Sequence, residues 1–291
     1  MRKLIKITIF GLLLMGCANT NNQNEQLKIV TTLFPQYDIA RAITKDKAEV
    51  SMILPPGVEA HSYEPTPQDI VKLDNSDMFI YTSNHLETYA EKMAQGLKEE
   101  NSVIINLEDS ITIKGEDPHF WLSVKNMLAM SQVILDEIVL LDPDNRDYYL
   151  SNAKDYMDDL KLLEAELFDL FANVDDQAIV FAGHFSFDYF AEEYGLNYLS
   201  TFESFSPNAE ASAKQVAKLI DYINDQNIEY IYFEELVDPK LGRMLANETG
   251  AELLMLNAEH NITKEQAEAG ISYADIMRMN IENLKLGLNY E

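Results

Sequence analysis

The sequence has one cysteine, few basic residues and no long apolar run, and each shortage excludes a class of protein. Its single cysteine, Cys17, excludes an internal disulfide bond. Its 22 lysine and arginine residues face 49 aspartate and glutamate residues, so the formal net charge is −27. A surface this acidic repels phosphate backbones, which argues against nucleic acid as a partner. The charge favours solubility and selects no particular cation.

The most apolar stretch lies at the N-terminus and is too short to cross a membrane. Residues 7–15 follow the basic residues Arg2, Lys3 and Lys6. A stretch of this length cannot span a hydrocarbon core of about 30 Å as a helix. Basic residues before a short apolar run therefore predict an export signal over residues 1–16.

The end of this signal, Leu14-Met15-Gly16-Cys17, resembles a bacterial lipobox. In that motif the cysteine becomes the lipidated first residue of the mature protein, which predicts lipidation at Cys17. The alternative is that Cys17 is only an apolar residue of the signal. Residues 17–26 are polar and unpatterned, as is typical of a lipidated tether. We therefore expect an extracytoplasmic protein that is lipid-anchored to the bacterial cell membrane.

Short β-rich runs alternate with helical patterns on both sides of the middle of the chain. Such alternation is typical of α/β folds in which helices flank a mainly parallel sheet. The predicted strands are 28–32, 50–53, 78–81 and 103–106 before the middle, and 178–182, 197–200, 230–233 and 252–256 after it. The predicted helices are 36–43, 67–73, 89–99, 185–194, 209–226, 239–249 and 273–286.

One long amphipathic helix is predicted between these two regions. From Tyr149 to Leu170 apolar residues recur at steps of four and three, the period of a helix with one buried face. Asp142 and Pro143 predict its start, because aspartate caps free amides and proline needs no amide hydrogen at the first helical position. We interpret the helix as a rigid connection between two lobes, and an ordinary bundle helix is the alternative. The predicted domains are an N-terminal α/β lobe of residues 27–142, a connecting helix of 143–173 and a C-terminal α/β lobe of 174–291.

Four of the five histidines follow predicted strands. In open parallel sheets the loops at the carboxyl ends of the strands hold the ligand. A neutral imidazole is a preferred ligand of zinc and its neighbours in the transition series, so we interpret the four as metal ligands. For any one of them the alternative is an ordinary loop histidine. The fifth, His85, is placed outside the site because it lies at the start of a helix. The four candidates are His61, His119, His184 and His260.

Carboxylates near these histidines are candidates for orienting the imidazoles. A ligating imidazole usually donates its other N–H group to an acceptor, and a carboxylate serves this purpose well. Each candidate has the alternative of a solvated surface carboxylate. The candidates are Glu64, Glu203, Glu234, Glu235 and Asp275.

Several motifs from about residue 27 to the C-terminus resemble those of a known family. The family is that of the metal-binding lipoproteins, or cluster A-I solute-binding proteins, which serve bacterial ABC importers for zinc and manganese. The motifs are specific together rather than singly. They are Pro56-Gly57 with His61-Ser62-Tyr63-Glu64-Pro65-Thr66-Pro67, Asp117-Pro118-His119-Phe120-Trp121-Leu122, Gly183-His184 with residues 187–190 and 194–196, residues 211–215, and residues 273–277 with Asn280 and Leu284.

The resemblance implies a two-lobed receptor that carries one metal ion in the cleft between its lobes. It assigns His61, His119 and His184 to the first three ligand positions, and a histidine at the third position favours zinc over manganese. The fourth family ligand is normally aspartate or glutamate. Here His260 aligns best with that position, and Glu259 is the alternative. The histidine-rich loop that some zinc members carry before the second ligand is missing from residues 107–116.

We therefore predict an extracytoplasmic receptor that captures Zn²⁺ and delivers it to an ABC permease and its ATPase subunit, as a monomer and without enzymatic activity. The alternatives are a manganese receptor of the same class, a surface adhesin, and a zinc hydrolase with Glu259 or Glu235 as the base. The sequence contains no His-Glu-x-x-His pair, and a site closed by four ligands leaves no position for a catalytic water. We also expect loss of metal to change the loops near His61, His184 or His260 more than the orientation of the lobes.

Overall fold

The structure, a computed structural model, describes residues 26–97, 102–113, 117–174, 178–200 and 212–290. Its strands form two four-stranded sheets in which all neighbouring strands run parallel. We call residues 26–142 the front half and residues 178–290 the rear half. The front sheet contains β1 Leu27–Thr31, β2 Ala48–Met52, β3 Met78–Tyr81 and β4 Val103–Asn106. The rear sheet contains β5 Ala178–Phe181, β6 Asn197–Ser200, β7 Tyr230–Glu234 and β8 Glu252–Leu256.

Helices flank both sheets, and one long helix lies between the two halves. The predicted fold class is thereby confirmed. In the first part of the chain the described helices are α1 Phe34–Thr44, α2 Pro67–Asp74, α3 Ala90–Gly96, α4 Val124–Leu141 and the long α5 Arg146–Ala172. In the second part they are α6 Asp188–Tyr194, α7 Ala213–Asp225, α8 Lys240–Thr249, α9 Lys264–Ala269 and α10 Tyr273–Gly287.

Helices α4 and α9 are additional to those that the sequence pattern predicts. Helix α4 carries apolar residues on its exposed side as well as its buried side, as at Leu140, which weakens the periodic pattern of an amphipathic helix. Its Met127, Ile134 and Ile138 are fully buried. Helix α9 is only six residues long, which gives too short a window for a periodic pattern.

The two sheets share one topology. The strand order is β2-β1-β3-β4 in the front sheet and β6-β5-β7-β8 in the rear sheet. Because all strands are parallel, the loops that leave their carboxyl ends gather at one edge of each sheet. In the front sheet the loops after β2 and β4 come from opposite sides, whereas in the rear sheet β7 lies between β5 and β8. The place of each strand in its sheet determines from which side its loop, and the histidine in that loop, approaches the candidate site.

The long helix begins three residues later than its apparent start signal indicates. Pro143–Asn145 form a turn of 3-10 helix, and α5 follows at Arg146 without a side-chain cap. Asp142 does not cap free helical amides. Its Oδ2 instead accepts hydrogen bonds from Asn145 Nδ2 at 2.7 Å and from the Tyr149 hydroxyl at 2.6 Å. The carboxylate therefore fixes the corner between α4 and α5.

The main hydrophobic core runs through both halves. It includes Phe34 of α1, Ile134 of α4, Leu163 of α5, Phe181 of β5 and Met277 of α10. Two smaller clusters pack α2 and α3 against the front sheet and α7 and α8 against the rear sheet. Because α1, α4, α5 and α10 share one core, burial of apolar surface stabilises the arrangement of the two halves as well as each half alone.

Candidate metal centre

The front half contributes two histidines whose loops converge. His61 lies in the loop between β2 and α2, after a turn at Gly57 whose φ of +84° suits glycine. His119 lies between β4 and α4, directly before the short 3-10 helix Phe120–Leu122. The Nε2 atoms of the two imidazoles are 3.4 Å apart. Two loops from opposite sides of one sheet thus bring two ring nitrogens to a single point.

The rear half brings its two histidines to the same point. His184 follows β5 and His260 follows β8. The ring centroid of His184 lies 5.1 Å from that of His61 and 5.3 Å from that of His119. The ring centroid of His260 lies 4.8 Å and 5.0 Å from the same two rings. The four imidazoles therefore form one cluster at the junction of the halves, in which ligand nitrogens of His61, His119 and His184 lie within 4.8 Å of one another and His260 contacts the rings of His61 and His119.

Each imidazole in this cluster has a carboxylate at Nδ1. In the proton arrangement that satisfies these pairs, Nδ1–H donates to the carboxylate and the Nε2 lone pair remains available to a ligand. Such partners fix both the tautomer and the ring orientation. The pairs are His61 with Glu59 at 2.8 Å, His119 with Asp117 at 2.6 Å, His184 with Glu234 at 3.0 Å, and His260 with Glu235 at 3.3 Å.

The inward nitrogens lie in a buried environment. His119, His184 and His260 are almost completely buried, and the side chain of His61 is 12% exposed. Among the described residues, Nε2 of His184 and Nε2 of His260 have no hydrogen-bond partner. Leaving buried polar atoms unsatisfied costs free energy, so such atoms mark a place where a ligand is expected. Imidazole nitrogens facing one another suit a cation of intermediate softness, which removes this cost.

Burial also sets the protonation of the cluster. Burial lowers the pKa of His119 well below its usual range, and neighbouring imidazoles lower it further. Burial lowers the pKa of His260 to about 3. Burial acts in the same direction on His184, but the hydrogen bond and charge of Glu234 outweigh it, so the pKa of His184 is raised. At neutral pH, His119 and His260 are therefore uncharged, the form that binds metal.

Two carboxylates of the cluster respond to their surroundings in opposite ways. Burial raises the pKa of Glu235 to about 7. Burial also acts upward on Glu59, but hydrogen bonds from His61 and Ser62 outweigh it and hold the pKa of Glu59 at about 2. Glu59 is therefore a firm anion, and Glu235 lies close to its titration point at neutral pH.

The carboxylates predicted from the sequence are only partly in the site. Glu234 and Glu235 contact the imidazoles as described above. Glu64 is solvent-exposed in the same loop as His61 and is not one of the Nδ1 partners. Asp275 caps α10, where its carboxylate accepts hydrogen bonds from the backbone N–H and the hydroxyl of Ser272. Its assignment to the metal site was wrong, because a first-turn aspartate after a serine forms a capping box instead.

Other predicted positions lie elsewhere. Glu203 and Cys17 are outside the described residues. His85 is partly exposed and pairs with Glu108 at 3.4 Å, away from the cluster. Glu259, the alternative fourth ligand, is fully buried, and within the described residues neither of its oxygens has a hydrogen-bond partner. The charges that act on it come from Asp38 and Glu235, and burial raises its pKa well above the usual range.

Two carboxylates of the site are absent from the predicted set. Glu59 and Asp117 each lie two residues before a histidine, and each also accepts the backbone N–H of that histidine, at 2.6 Å and 3.0 Å. This acid-x-His spacing occurs twice in the sequence and was the signal that would have found them. In each such unit one carboxylate accepts hydrogen bonds from both the backbone N–H and the imidazole of the same histidine.

A family profile and the sequences of individual relatives both match zinc-uptake proteins over most of this chain. The family profile described as ZnuA, zinc-uptake complex component A periplasmic, matches residues 29–287. The high-affinity zinc uptake system protein ZnuA of Bacillus subtilis is 34% identical over 301 residues, which cover 94% of this chain and 93% of that protein. The match therefore extends over nearly the whole length of both proteins.

Solved structures agree with the sequence comparison. The Zn(II)-bound ZnuA-like domain of Streptococcus pneumoniae AdcA superposes with a TM-score of 0.79 at 30% identity, covering 91% of this chain and 99% of that one. Complete AdcA is longer, and the chain spans 60% of it. The laminin-binding protein Lmb of Streptococcus agalactiae, described as bifunctional with adhesin and metal transporting activity, gives a TM-score of 0.79 at 26% identity, covering 90% and 99%.

Proposed function

The chain belongs to the ZnuA family of periplasmic zinc-uptake components, and on this premise we propose that it captures a zinc ion at the four-histidine cluster and delivers it to an ABC permease. The observation that carries the proposal is the convergence of four imidazoles whose outer nitrogens are all held by carboxylates. Zinc is the transported substrate here and not a resident cofactor. The receptor is an extracytoplasmic component of an uptake system.

Four imidazoles suit zinc better than manganese. Zinc accepts a tetrahedral set of nitrogen ligands at about 2.0–2.1 Å, whereas manganese favours carboxylate, carbonyl and water oxygens. We assign Nε2 of His61, His119, His184 and His260 as the ligands. The outer carboxylates, of which Glu59 is ionised at neutral pH and Glu235 only partly so, supply negative charge around a site whose ligands are neutral. They therefore stabilise the divalent ion without occupying its coordination sphere.

His260 is the better fourth ligand than Glu259. The ring of His260 lies against those of His61 and His119, and its Nε2 is buried without a partner among the described residues. Among the described residues, Glu259 is in neither group of side chains whose ligand atoms gather near one another, and burial raises its pKa well above its usual range, which disfavours the carboxylate form. An imidazole at this position completes a set of nitrogen donors from both halves.

Carriage is favoured over catalysis. Members of the family act as solute-binding components of transport systems, and zinc hydrolysis requires an open coordination position for water. Four imidazoles fill a tetrahedral site. The buried carboxylates that contact the imidazoles, Asp117, Glu234 and Glu235, are engaged with the outer nitrogens of His119, His184 and His260, which leaves none of the three placed as a general base.

We propose that the mature protein is tethered to the membrane by a lipid on Cys17 and that its permease works with an ATPase subunit. The lipobox-like sequence before Cys17 and the lipoprotein description of the relative AdcA support the tether. Within the part of the chain that the structure describes, no helix is both long and apolar enough to span a membrane. Mass spectrometry of the protein extracted from membranes tests the proposal, because a diacylglyceryl mass on a peptide that begins at Cys17 is expected.

A second function as an adhesin is favoured by one specific observation. Lmb combines adhesin and metal transporting activity on the same fold, at 26% identity over 90% of this chain. Surface plasmon resonance with immobilised laminin tests this role. Binding of the zinc-loaded protein that survives in 0.5 M salt, with albumin as the control surface, would support it, and equal signals on both surfaces would exclude it.

Metal content is the experiment that tests the zinc proposal. The purified chain is exposed to equal concentrations of zinc and manganese, dialysed, and analysed by inductively coupled plasma mass spectrometry. We expect one zinc and no manganese per chain. His61→Ala combined with His119→Ala should abolish retention, whereas His85→Ala, a histidine outside the cluster, should retain one zinc. Full zinc retention by the double variant would contradict the site assignment.

A further inference from the structure

The segment that carries His260 is bonded mainly to the front half, although it belongs to the rear half by sequence. This segment, residues 257–273, runs from the end of β8 to the start of α10, and we call it the strap. The backbone N–H of Phe34 donates to the His260 carbonyl at 3.2 Å, and the N–H of Gly57 donates to the Ile262 carbonyl at 2.8 Å. Both donors lie in the front half.

Asn261 makes the closest connection between the strap and the loop that carries His61. Its side-chain Nδ2 donates to the carbonyl oxygens of Pro55 at 2.7 Å and Val58 at 2.8 Å, while its Oδ1 accepts the N–H of Ile262 at 2.8 Å. Asn261 is 1% exposed. One amide therefore uses both donor hydrogens to close the loop between Pro55 and Val58, three residues before His61.

Trp121 connects the strap to the segment that carries His119. Its indole Nε1 donates to the Ala258 carbonyl at 2.8 Å, and its own carbonyl accepts the hydroxyl of Tyr273 at 2.9 Å. Its ring lies 5.3 Å from both the His119 and the His260 rings. The backbone segments that carry His61, His119 and His260 are thus joined through buried hydrogen bonds that do not pass through the rear sheet.

The far end of the strap is attached to the front half as well. Asp38 of α1 accepts the N–H of Tyr273 at 3.0 Å, and Arg41 donates to the carbonyls of Gly270 at 3.1 Å and of Ile271. Asp38 also pairs with Arg41. Both ends and the middle of the strap are therefore held by the front half.

The rear half holds the first residues of the strap, and through Glu235 it also holds the imidazole of His260 at 3.3 Å. The N–H of Ala258 donates to Glu235 Oε2 at 2.7 Å, and Asn280 pairs with the backbone of Asn257. Within the described residues, the side-chain hydrogen bond of His184 is to Glu234 at the end of β7. His184 lies just after β5, and its carboxylate partner Glu234 is the last residue of β7, so both are positioned by the rear sheet.

We propose that Asn261 is a positioning residue that locks the strap to the His61 loop, so that the segments carrying His61, His119 and His260 stay together on the front half. Zinc then enters and leaves as His184 and the ends of β5 and β7, with Glu234 and Glu235, approach and withdraw. The proposal rests on the zinc-binding function proposed above. It makes His184 the first ligand to be released when zinc is delivered.

Residue-resolved amide hydrogen exchange by NMR tests whether the hydrogen bonds of the strap to the front half or those to the rear half open when zinc is removed. The amides of Phe34 and Gly57 donate hydrogen bonds between the strap and the front half, and the amide of Ala258 donates a hydrogen bond between the strap and the rear half. On removal of zinc we expect exchange at Ala258 to rise about tenfold or more while Phe34 and Gly57 change less than about twofold. A rise at Phe34 and Gly57 that equals the rise at Ala258 would overturn the proposal, and so would an unchanged Ala258.

A variant of Asn261 tests its role directly. Asn261→Leu keeps the side-chain size and removes both donated hydrogen bonds. We expect zinc dissociation into excess chelator to accelerate about 10- to 100-fold, the range for supporting residues of metal sites, with faster exchange at Gly57 in the zinc-free protein. The matched control is Asn152→Leu, because Asn152 is also buried and donates to a backbone carbonyl, that of Ile43, far from the cluster.

The outcomes separate this proposal from the zinc function itself. If Asn152→Leu and Asn261→Leu lower the thermal midpoint alike and neither alters zinc dissociation, Asn261 is only structural and the proposal is wrong. In that case one retained zinc per chain still supports the proposed function. If the unmodified chain retains no zinc, the proposed function is wrong and the strap proposal is wrong with it. The exchange measurement on the unmodified protein decides the question even if Asn261→Leu does not fold.

Discussion

The front half holds each histidine with a carboxylate two residues before it, whereas the rear half holds both of its histidines with two consecutive glutamates at the end of β7. Strand order explains the difference. In the front sheet, β2 and β4 are separated by β1 and β3, about 14 Å in all. A single strand end cannot serve both His61 and His119, so each loop supplies its own carboxylate.

In the rear sheet β7 lies directly between β5 and β8. Its end therefore reaches His184 on one side through Glu234 and His260 on the other through Glu235. The same chemical result, an imidazole with a fixed tautomer, is produced locally in one half and through tertiary structure in the other. The comparison predicts that supporting residues in the two halves differ in how strongly they affect zinc binding.

The largest effect is expected when both rear carboxylates are changed together. Glu234→Gln with Glu235→Gln keeps the side-chain shapes but removes both negative charges beside His184 and His260. Each supporting residue of a metal site is worth about 10- to 100-fold in affinity, so we expect zinc affinity to fall about 100-fold or more. Competition with a chelator of known zinc affinity measures this. Glu248→Gln with Glu252→Gln, two exposed glutamates of the same half, is the control and should change affinity less than about twofold.

A smaller effect is expected for a single buried carboxylate of the front half. Asp117→Asn removes the charge beside His119, whose side chain is completely buried, so water cannot replace the lost interaction. We expect zinc affinity to fall about 10- to 100-fold. Isothermal titration calorimetry with a competing chelator measures this. An affinity within about twofold of the unmodified protein would mean that the local acid-x-His unit does not support the metal site.

The effect of the corresponding change at His61 should be smaller again. Glu59 has a side chain that is 27% exposed, so water can take its place at Nδ1 of His61. For Glu59→Gln we expect a decrease of about tenfold or less. Glu64→Gln, in the same loop but exposed and outside the cluster, should leave affinity unchanged. If Glu59→Gln weakens zinc binding more than Asp117→Asn, the burial of a carboxylate does not determine how strongly it supports zinc affinity.

The pH dependence should be set first by the rear half. Protons compete with zinc for Nε2. Glu234 raises the pKa of His184, whereas burial lowers the pKa of His119 well below its usual range and lowers that of His260 to about 3. As the pH falls, His184 therefore takes up a proton before those two do. Zinc affinity should decrease from pH 7.5 to 5.5, by up to about tenfold per pH unit for each proton displaced. A constant affinity over this range would contradict ligation by imidazole.

The fold was predictable where local signals are strong. The β-branched runs at Ile29–Val30 and Ile104–Ile105 lie in strands as predicted, within one residue of the observed ends. Helix α4 was hard to predict from periodicity, because apolar residues such as Leu140 also lie on its exposed face and blur the pattern. Local sequence also misplaced the start of α5, where Asp142 bonds to side chains rather than to helical amides.

The site was predictable in its metal-facing residues more than in its support. The four histidines could be chosen because each follows a strand, although His85 also follows one, β3, and had to be set aside on other grounds. The partner of each imidazole in the rear half depends on strand order. Nothing local distinguishes Glu234 from Glu64, and only the place of β7 between β5 and β8 does so. Asp275 was misassigned because its role in the capping box of α10 is decided by Ser272, three residues before it.

X-ray absorption spectroscopy at the zinc edge of the zinc-loaded protein tests the central claim most directly, because it reports the atoms bound to the ion. We expect one zinc per chain with four imidazole nitrogens at about 2.0–2.1 Å and no carboxylate oxygen. His260→Ala should reduce the imidazole number from four to three. A carboxylate oxygen in the coordination sphere of the unmodified protein, or an unchanged imidazole number in His260→Ala, would contradict the claim that imidazoles from both halves share one ion.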